Sequence, residues 1–151
     1  MQPLSESLDG VFDLPLRAGA EHTPISEIMS REVICVGPET SLSGLTEVFI
    51  LRGISGVPVV DAAGRPIGVA SKTDVLRHVA IEGESATAKD VMTPVTLAMP
   101  GHSSIARAAA LMSYERVHRI VVVGPSGTVE GLVSAMDVLR WLARRDGYAI
   151  P

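Results

Sequence analysis

Two short segments of the chain carry residue types at a spacing suited to a phosphorylated sugar. Gly68-Val-Ala-Ser71-Lys-Thr-Asp74 and Gly131-Leu-Val-Ser134-Ala-Met-Asp137 each put a serine, and an aspartate three residues on, at the mouth of an amphipathic run. A helix N-terminus presents unpaired N–H groups that, with a serine hydroxyl, suit a phosphate, while a carboxylate beside it accepts from two sugar hydroxyls. The same spacing describes a capping box, in which Ser71 or Ser134 caps the helix and the acidic residue favours its positive end. The residues alone leave both roles open. A second cluster, Arg116-Val-His118-Arg119, enters an apolar run and either brings positive charge to a phosphate or lines a solvated strand edge. The matching positions 63 residues earlier are Gly53-Ile-Ser55-Gly56, which predicts clefts of unequal positive charge. Asp74 with Arg77, and Asp137 with Arg140, have the spacing of helical ion pairs worth about a few tenths of a kcal/mol, compatible with either role.

The elements that must position these groups are repeated. Gly64 to Arg77 lies over Gly127 to Arg140 at an offset of 63 residues, which also carries Met29 onto Met92, Ser41 onto Ser104 and Val59-Val60 onto Val122-Val123 without a gap. One unit is therefore used twice. In each copy a short apolar run, Val33 to Val36 or Val95 to Ala98, predicts a buried strand followed by a Gly/Pro turn. Ser41 and Ser104 stand where N-caps belong. Behind them Leu42, Leu45, Val48 and Phe49, against Ile105, Ala108, Leu111 and Met112, recur at the spacing of one buried helical face. Two strands follow, Gly56 to Val60 and Pro66 to Ala70, matched by Arg119 to Val123 and Thr128 to Val133, with glycine-bearing loops of hairpin length between them. Helices from Lys72 to about Ile81 and from Ala135 to about Arg144 close the copies, with Val75, Leu76, Val79 and Val138, Leu139, Leu142 as their apolar positions. The reading is an α+β fold: two tandem βαββα units, 24–81 and 87–144, a linker at 82–86, an N-terminal segment 1–23 and a tail 145–151. A unit of about 60 residues is marginal alone, so the two are expected to pack about a pseudo-twofold axis, which generates paired clefts.

Composition narrows the function. The chain has 151 residues, 46% of them hydrophobic, with a net charge of −4, so it has a core but no general basic field for nucleic acid or an anionic membrane. Its apolar runs fall far short of the roughly 20 residues of a membrane helix. Glu6, Asp9 and Asp13, with no basic or apolar leader region, point to the cytoplasm. Cys35 is the single cysteine, which excludes an internal disulfide and multi-cysteine zinc sites, and it reads as a small buried strand residue. His22, His78, His102 and His118 include no pair at helical metal-binding spacing, and the common catalytic signatures do not occur. No catalytic residue, metal or cofactor is assigned.

The chain resembles paired CBS domains, in which two such units form a Bateman module. The resemblance covers about residues 24 to 144 and rests on the Ile28-Met29 and Val91-Met92 openings, Gly56-Val-Pro-Val-Val-Asp61, His118-Arg119 and the two Ser-x-x-Asp segments. It implies clefts for adenosine-containing ligands such as AMP, ADP, ATP or S-adenosylmethionine. Asp74 and Asp137 would hold ribose hydroxyls, Ser71 and Ser134 would touch phosphate, and His118 with Arg119 would neutralise it, with Arg116 and Lys72 as further cations. Because 3% of residues are aromatic, the base would need an apolar slot, for which Val36, Ile54, Val57, Val59, Val117, Ile120 and Val122 are candidates. The implied role is a non-catalytic ligand sensor acting on a separate, unidentified protein; the alternative is a dimerisation scaffold with empty clefts. A homodimer is expected through the closing helices. The apolar Leu8, Val11, Phe12, Leu14 and Leu16 predict that the N-terminal segment packs on its own module or across that dimer.

Overall fold

The computed structural model describes residues 15–82, 85–94 and 98–145. Helix α1 (Pro15–His22) and a 3-10 turn (Ile25–Glu27) lead to α2 (Leu42–Arg52), the hairpin of β1 (Gly56–Val60) and β2 (Pro66–Ser71), and α3 (Lys72–Glu82). The second copy runs α4 (Ala88–Val91), β3 (Thr93–Pro94), β4 (Ala98–Pro100), α5 (Ile105–Glu115), β5 (Arg119–Val123), β6 (Val129–Ser134) and α6 (Ala135–Arg145). Both long central helices start at the expected caps: Ser41 Oγ accepts from Gly44 N–H at 3.0 Å and Ser104 Oγ from Arg107 N–H at 3.1 Å. Leu42, Leu45 and Phe49 enter one core, and Ile105, Ala108 and Met112 the other. The hairpins are antiparallel, with Gly56 opposite Ser71 and Arg119 opposite Ser134. Their turns need glycine, since Gly64 and Gly127 lie at φ 80 and 81. The two tips meet reciprocally: a Cβ on Gly64 would lie 3.7 Å from Thr128, and one on Gly127 would lie 3.9 Å from Arg65.

Each copy's opening segment packs on the other copy's core. Ile25 N–H donates to Ser103 O at 2.8 Å, Ser30 and Leu132 exchange backbone hydrogen bonds of 2.9 and 3.0 Å, and Ile25 and Met29 are buried with Ile105 and Val133. Reciprocally, Ala88 N–H donates to Thr40 O at 2.8 Å, β3 pairs antiparallel with β2, and Ala88 and Val91 join Leu45 and Val57. The methionines seat this exchange. A Cβ on Gly131 would stand 2.5 Å from Met29 Sδ, and one on Gly68 would stand 2.3 Å from Met92 Sδ, so each thioether occupies the space over the other copy's glycine.

Several expectations change. Val33 to Val36 do not form a strand; only Val36 pairs, parallel to Val59, through Val36 N–H to Pro58 O at 3.0 Å and Val60 N–H to Val36 O at 2.9 Å. The reason is Pro58, which has no N–H to carry the ladder back toward residue 34. Its counterpart Val121 can donate, and there β4 pairs with β5 from Ala98 to Pro100. Cys35 is thus outside any strand and half-buried, and that burial pushes its thiol pKa up. Val95 to Leu97 lie outside the described residues. Among the described side chains of the closing helices only Val75 and Val138 are buried; Leu76, Val79 and Leu139 are exposed, and Leu142 is half-buried. Consecutive helical residues point about 100° apart, so Leu76 and Leu139 leave the face their neighbours take. Of the N-terminal segment, α1 packs against α5, and Ala20 lies on the second core. The expectation for Leu8, Val11, Phe12, Leu14 and the Leu16 side chain falls outside what is described.

Candidate functional site

Strands β2 and β6 end at Ser71 and Ser134, and α3 and α6 begin at once, which fixes both Ser-x-x-Asp segments at strand-to-helix corners. The capping role is realised in full. Asp74 Oδ2 accepts from Ser71 N–H at 2.9 Å and from its hydroxyl at 2.8 Å, while Asp74 N–H donates to Ser71 Oγ at 3.2 Å. Ser134 N–H donates to Asp137 Oδ2 at 2.8 Å, and Asp137 N–H donates to Ser134 Oγ at 3.1 Å. Each carboxylate keeps a second oxygen outside the cap, with Arg77 at 3.7 Å from that of Asp74 and Arg140 at 3.9 Å from that of Asp137. The Asp74 and Asp137 side chains are 13% and 18% exposed, and each lines a cleft between the copies. Capping uses one oxygen of each side chain and leaves the other outside the cap, so the capping geometry is compatible with the expected hydroxyl recognition.

Two clefts lie between the copies. One, of about 640 Å³, takes Ser134 and Asp137 from α6 and its lead-in, Gly53 to Gly56 from the first copy, and His118 with Arg119. The other, of about 570 Å³, takes Ser71 and Asp74 from the first copy and Arg116 to Val121 from the second. Both volumes suit a nucleotide-sized ligand. His118 and Arg119 line both clefts. The expectation of clefts of unequal positive charge is revised accordingly: the pair sits at the start of β5, where Arg119 is the first strand residue, and reaches either side. Arg119 Nη2 donates to Ser55 Oγ of the other copy.

Of the remaining candidates, Arg116 lines the smaller cleft and closes α5 in the left-handed region at φ 56, as Gly53 closes α2 at φ 61. Lys72 lines neither cleft. It is the exposed first residue of α3, tied through its backbone N–H to Ser55 O at 3.1 Å. Ile54 lines the larger cleft and Val117 and Ile120 the smaller one, whereas Val36, Val57, Val59 and Val122 belong to the cores. Sequence reasoning missed Ser30, Glu32, Val33 and Ile34 on the larger cleft, and Thr93, Pro94, Leu111 and Glu115 on the smaller. The signal was available in the matched Met29 and Met92, since the wall residues 30, 32–34 and 93–94 closely follow them. Among the described residues no group of three His, Cys, Asp or Glu side chains could hold a metal ion, and no helix is long and apolar enough to cross a membrane.

Comparison with known proteins agrees with this architecture. The family model for the CBS domain matches residues 25–81 and 88–144. Inosine-5'-monophosphate dehydrogenase of Methanocaldococcus jannaschii is 30% identical over 114 residues, covering 76% of this chain and 22% of that protein. Human 5'-AMP-activated protein kinase subunit gamma-3 is 28% identical over 106 residues, 64% of this chain and 22% of that protein. The chain thus spans about a fifth of the length of these relatives. Among solved structures, the CBS domain pair of protein MJ0100 in complex with 5'-methylthioadenosine and S-adenosyl-L-methionine has a TM-score of 0.75 at 22% identity, covering 82% of this chain and 98% of that one. CBSX2 in complex with AMP has a TM-score of 0.74 at 22% identity, with the same coverage of 82% and 98%. At these identities the structural likeness is one of fold.

Proposed function

The chain belongs to the CBS domain family, and from that premise we propose that it is a non-catalytic, cytoplasmic sensor of adenosine-containing ligands of the AMP, ADP and ATP class. The observation that carries the reading is the placement of His118 and Arg119 on the walls of both clefts, each of which also holds a Ser-x-x-Asp corner. In either cleft the second aspartate oxygen accepts from the ribose hydroxyls, the corner serine hydroxyl meets phosphate, and Arg119, with His118 beside it, supplies positive charge. Ile54 on one side, and Val117 with Ile120 on the other, give the base an apolar wall. Structures of the same fold were solved with AMP, S-adenosylmethionine and 5'-methylthioadenosine, which supports this ligand class. Ligand occupancy then biases the packing of a homodimer, through the exposed Leu76, Val79 and Leu139, or contact with a regulated protein.

A thermal-shift panel of AMP, ADP, ATP, S-adenosylmethionine and NADH tests the proposal. A ligand at about a hundred times its Kd stabilises by about 2.7 kcal/mol, on the order of 5 to 11 °C for a chain of this size. Asp137→Ala is expected to remove part of the shift, and the paired replacement of His118 and Arg119 by alanine to weaken nucleotides more than adenosine. No shift with any compound rejects the sensor. That outcome favours the scaffold reading, for which one observation already speaks: Ser71, Asp74, Ser134 and Asp137 satisfy one another as caps with no ligand needed.

A further inference from the structure

Gly56 and Arg119 are the same position in the two copies, 63 residues apart, and they meet near the axis. A Cβ on Gly56 would stand 2.9 Å from Arg119 Nε and 3.0 Å from its Cζ, so the guanidinium fills the space a side chain at 56 would need. There is room for one long side chain where the symmetry of the fold would place two. The result is a single guanidinium, hydrogen-bonded to Ser55, that lines both clefts.

The charges around it are closely balanced. The larger cleft sets Arg119 and Arg140 against Glu32 and Asp137; the smaller sets Arg116 and Arg119 against Asp74 and Glu115. Arginines balance carboxylates on each wall only when Arg119 is counted in both. When it is engaged on one side, the other keeps one arginine against two carboxylates. We propose that the two clefts are antagonistic for phosphorylated ligands: a phosphate bound in one draws the shared guanidinium, and the other is left unfavourable to a second phosphate. A nucleoside without phosphate does not need the guanidinium and fills both clefts independently. This inference rests on the nucleotide reading above and adds to it a rule of occupancy.

Calorimetric titration of the full chain with AMP and with adenosine tests it. The ratio of second to first dissociation constants is expected to exceed adenosine's by a factor on the order of ten for AMP. In Arg119→Ala both AMP steps weaken and the excess ratio falls to adenosine's value. Equal ratios for AMP and adenosine in the unmodified chain overturn the proposal and leave the nucleotide reading intact. So does an Arg119→Ala chain whose AMP ratio is unchanged or larger, since that marks bare repulsion between phosphates or unequal sites. If Arg119→Ala fails to fold, the comparison of AMP with adenosine in the unmodified chain still decides. Binding of neither compound overturns the nucleotide reading, and the antagonism with it.

Discussion

Arg116 sits where the first copy has glycine, at φ 56 against φ 61 for Gly53. An L-residue in that region costs about 1 kcal/mol or more. Arg116→Gly is therefore expected to raise stability by about 1 kcal/mol, or about 2 to 4 °C in Tm, while weakening AMP in the smaller cleft; a lower Tm contradicts the strain. Gly56→Ala behaves differently, because the three atoms nearest its Cβ all belong to the flexible side chain of Arg119. Stability should change by about 1 kcal/mol or less, but the guanidinium must move, so AMP affinity falls while adenosine affinity holds. Equal effects on both ligands would show that Arg119 does not serve the phosphate. The serines, aspartates and His118-Arg119 were legible in the sequence as a constellation. The meeting of Gly56 with Arg119 was not, because a contact across a symmetry axis leaves no mark in local spacing.

At the scale of elements, periodicity carried the hairpins, both central helices and their caps. It failed at Val33 to Val36, where apolar character suggested a strand but the partner, Pro58, lacks the donor that would extend it. The outward Leu76 and Leu139 show a related limit: apolar residues in a short helix need not share one face. The exchanged openings make two predictions. Gly131→Ala drives a Cβ to 2.5 Å from Met29 Sδ and 3.0 Å from Ser30 O, which is backbone and cannot step aside as Arg119 can. It should cost about 1 to 3 kcal/mol in urea unfolding, clearly more than Gly56→Ala, and a cost no larger than that of Gly56→Ala contradicts the seating. In α4, Thr87 N–H and hydroxyl donate to Asp90 at 2.9 and 3.1 Å, and the Thr87 backbone bond leads in holding the Asp90 carboxyl below its usual range. A depressed folded pKa gives stability that is present above the unfolded value and lost as pH falls through the folded one. The stability gap between the parent chain and Asp90→Asn should accordingly narrow in acid, as read by urea unfolding across a pH series; a gap independent of pH contradicts the assignment.

For the whole molecule, the ungapped repeat announced a pseudo-twofold fold with paired clefts. It did not announce that residues 25–30 and 88–94 complete the opposite core, since which copy a segment joins is decided by long-range packing. That exchange brings Ser30, Glu32 to Ile34 and Thr93 to Pro94 to the cleft walls, so cores, clefts and axis form one construction in which each cleft is lined by both copies. The central claim, that these clefts bind adenosine-containing ligands, is met most directly by amide NMR of the chain titrated with AMP. The account predicts the largest shifts at Ser71, Ser134, Gly53 to Gly56, His118 and Arg119. Unchanged signals there, with shifts absent or confined to the exposed faces of Leu76, Val79 and Leu139, would contradict it.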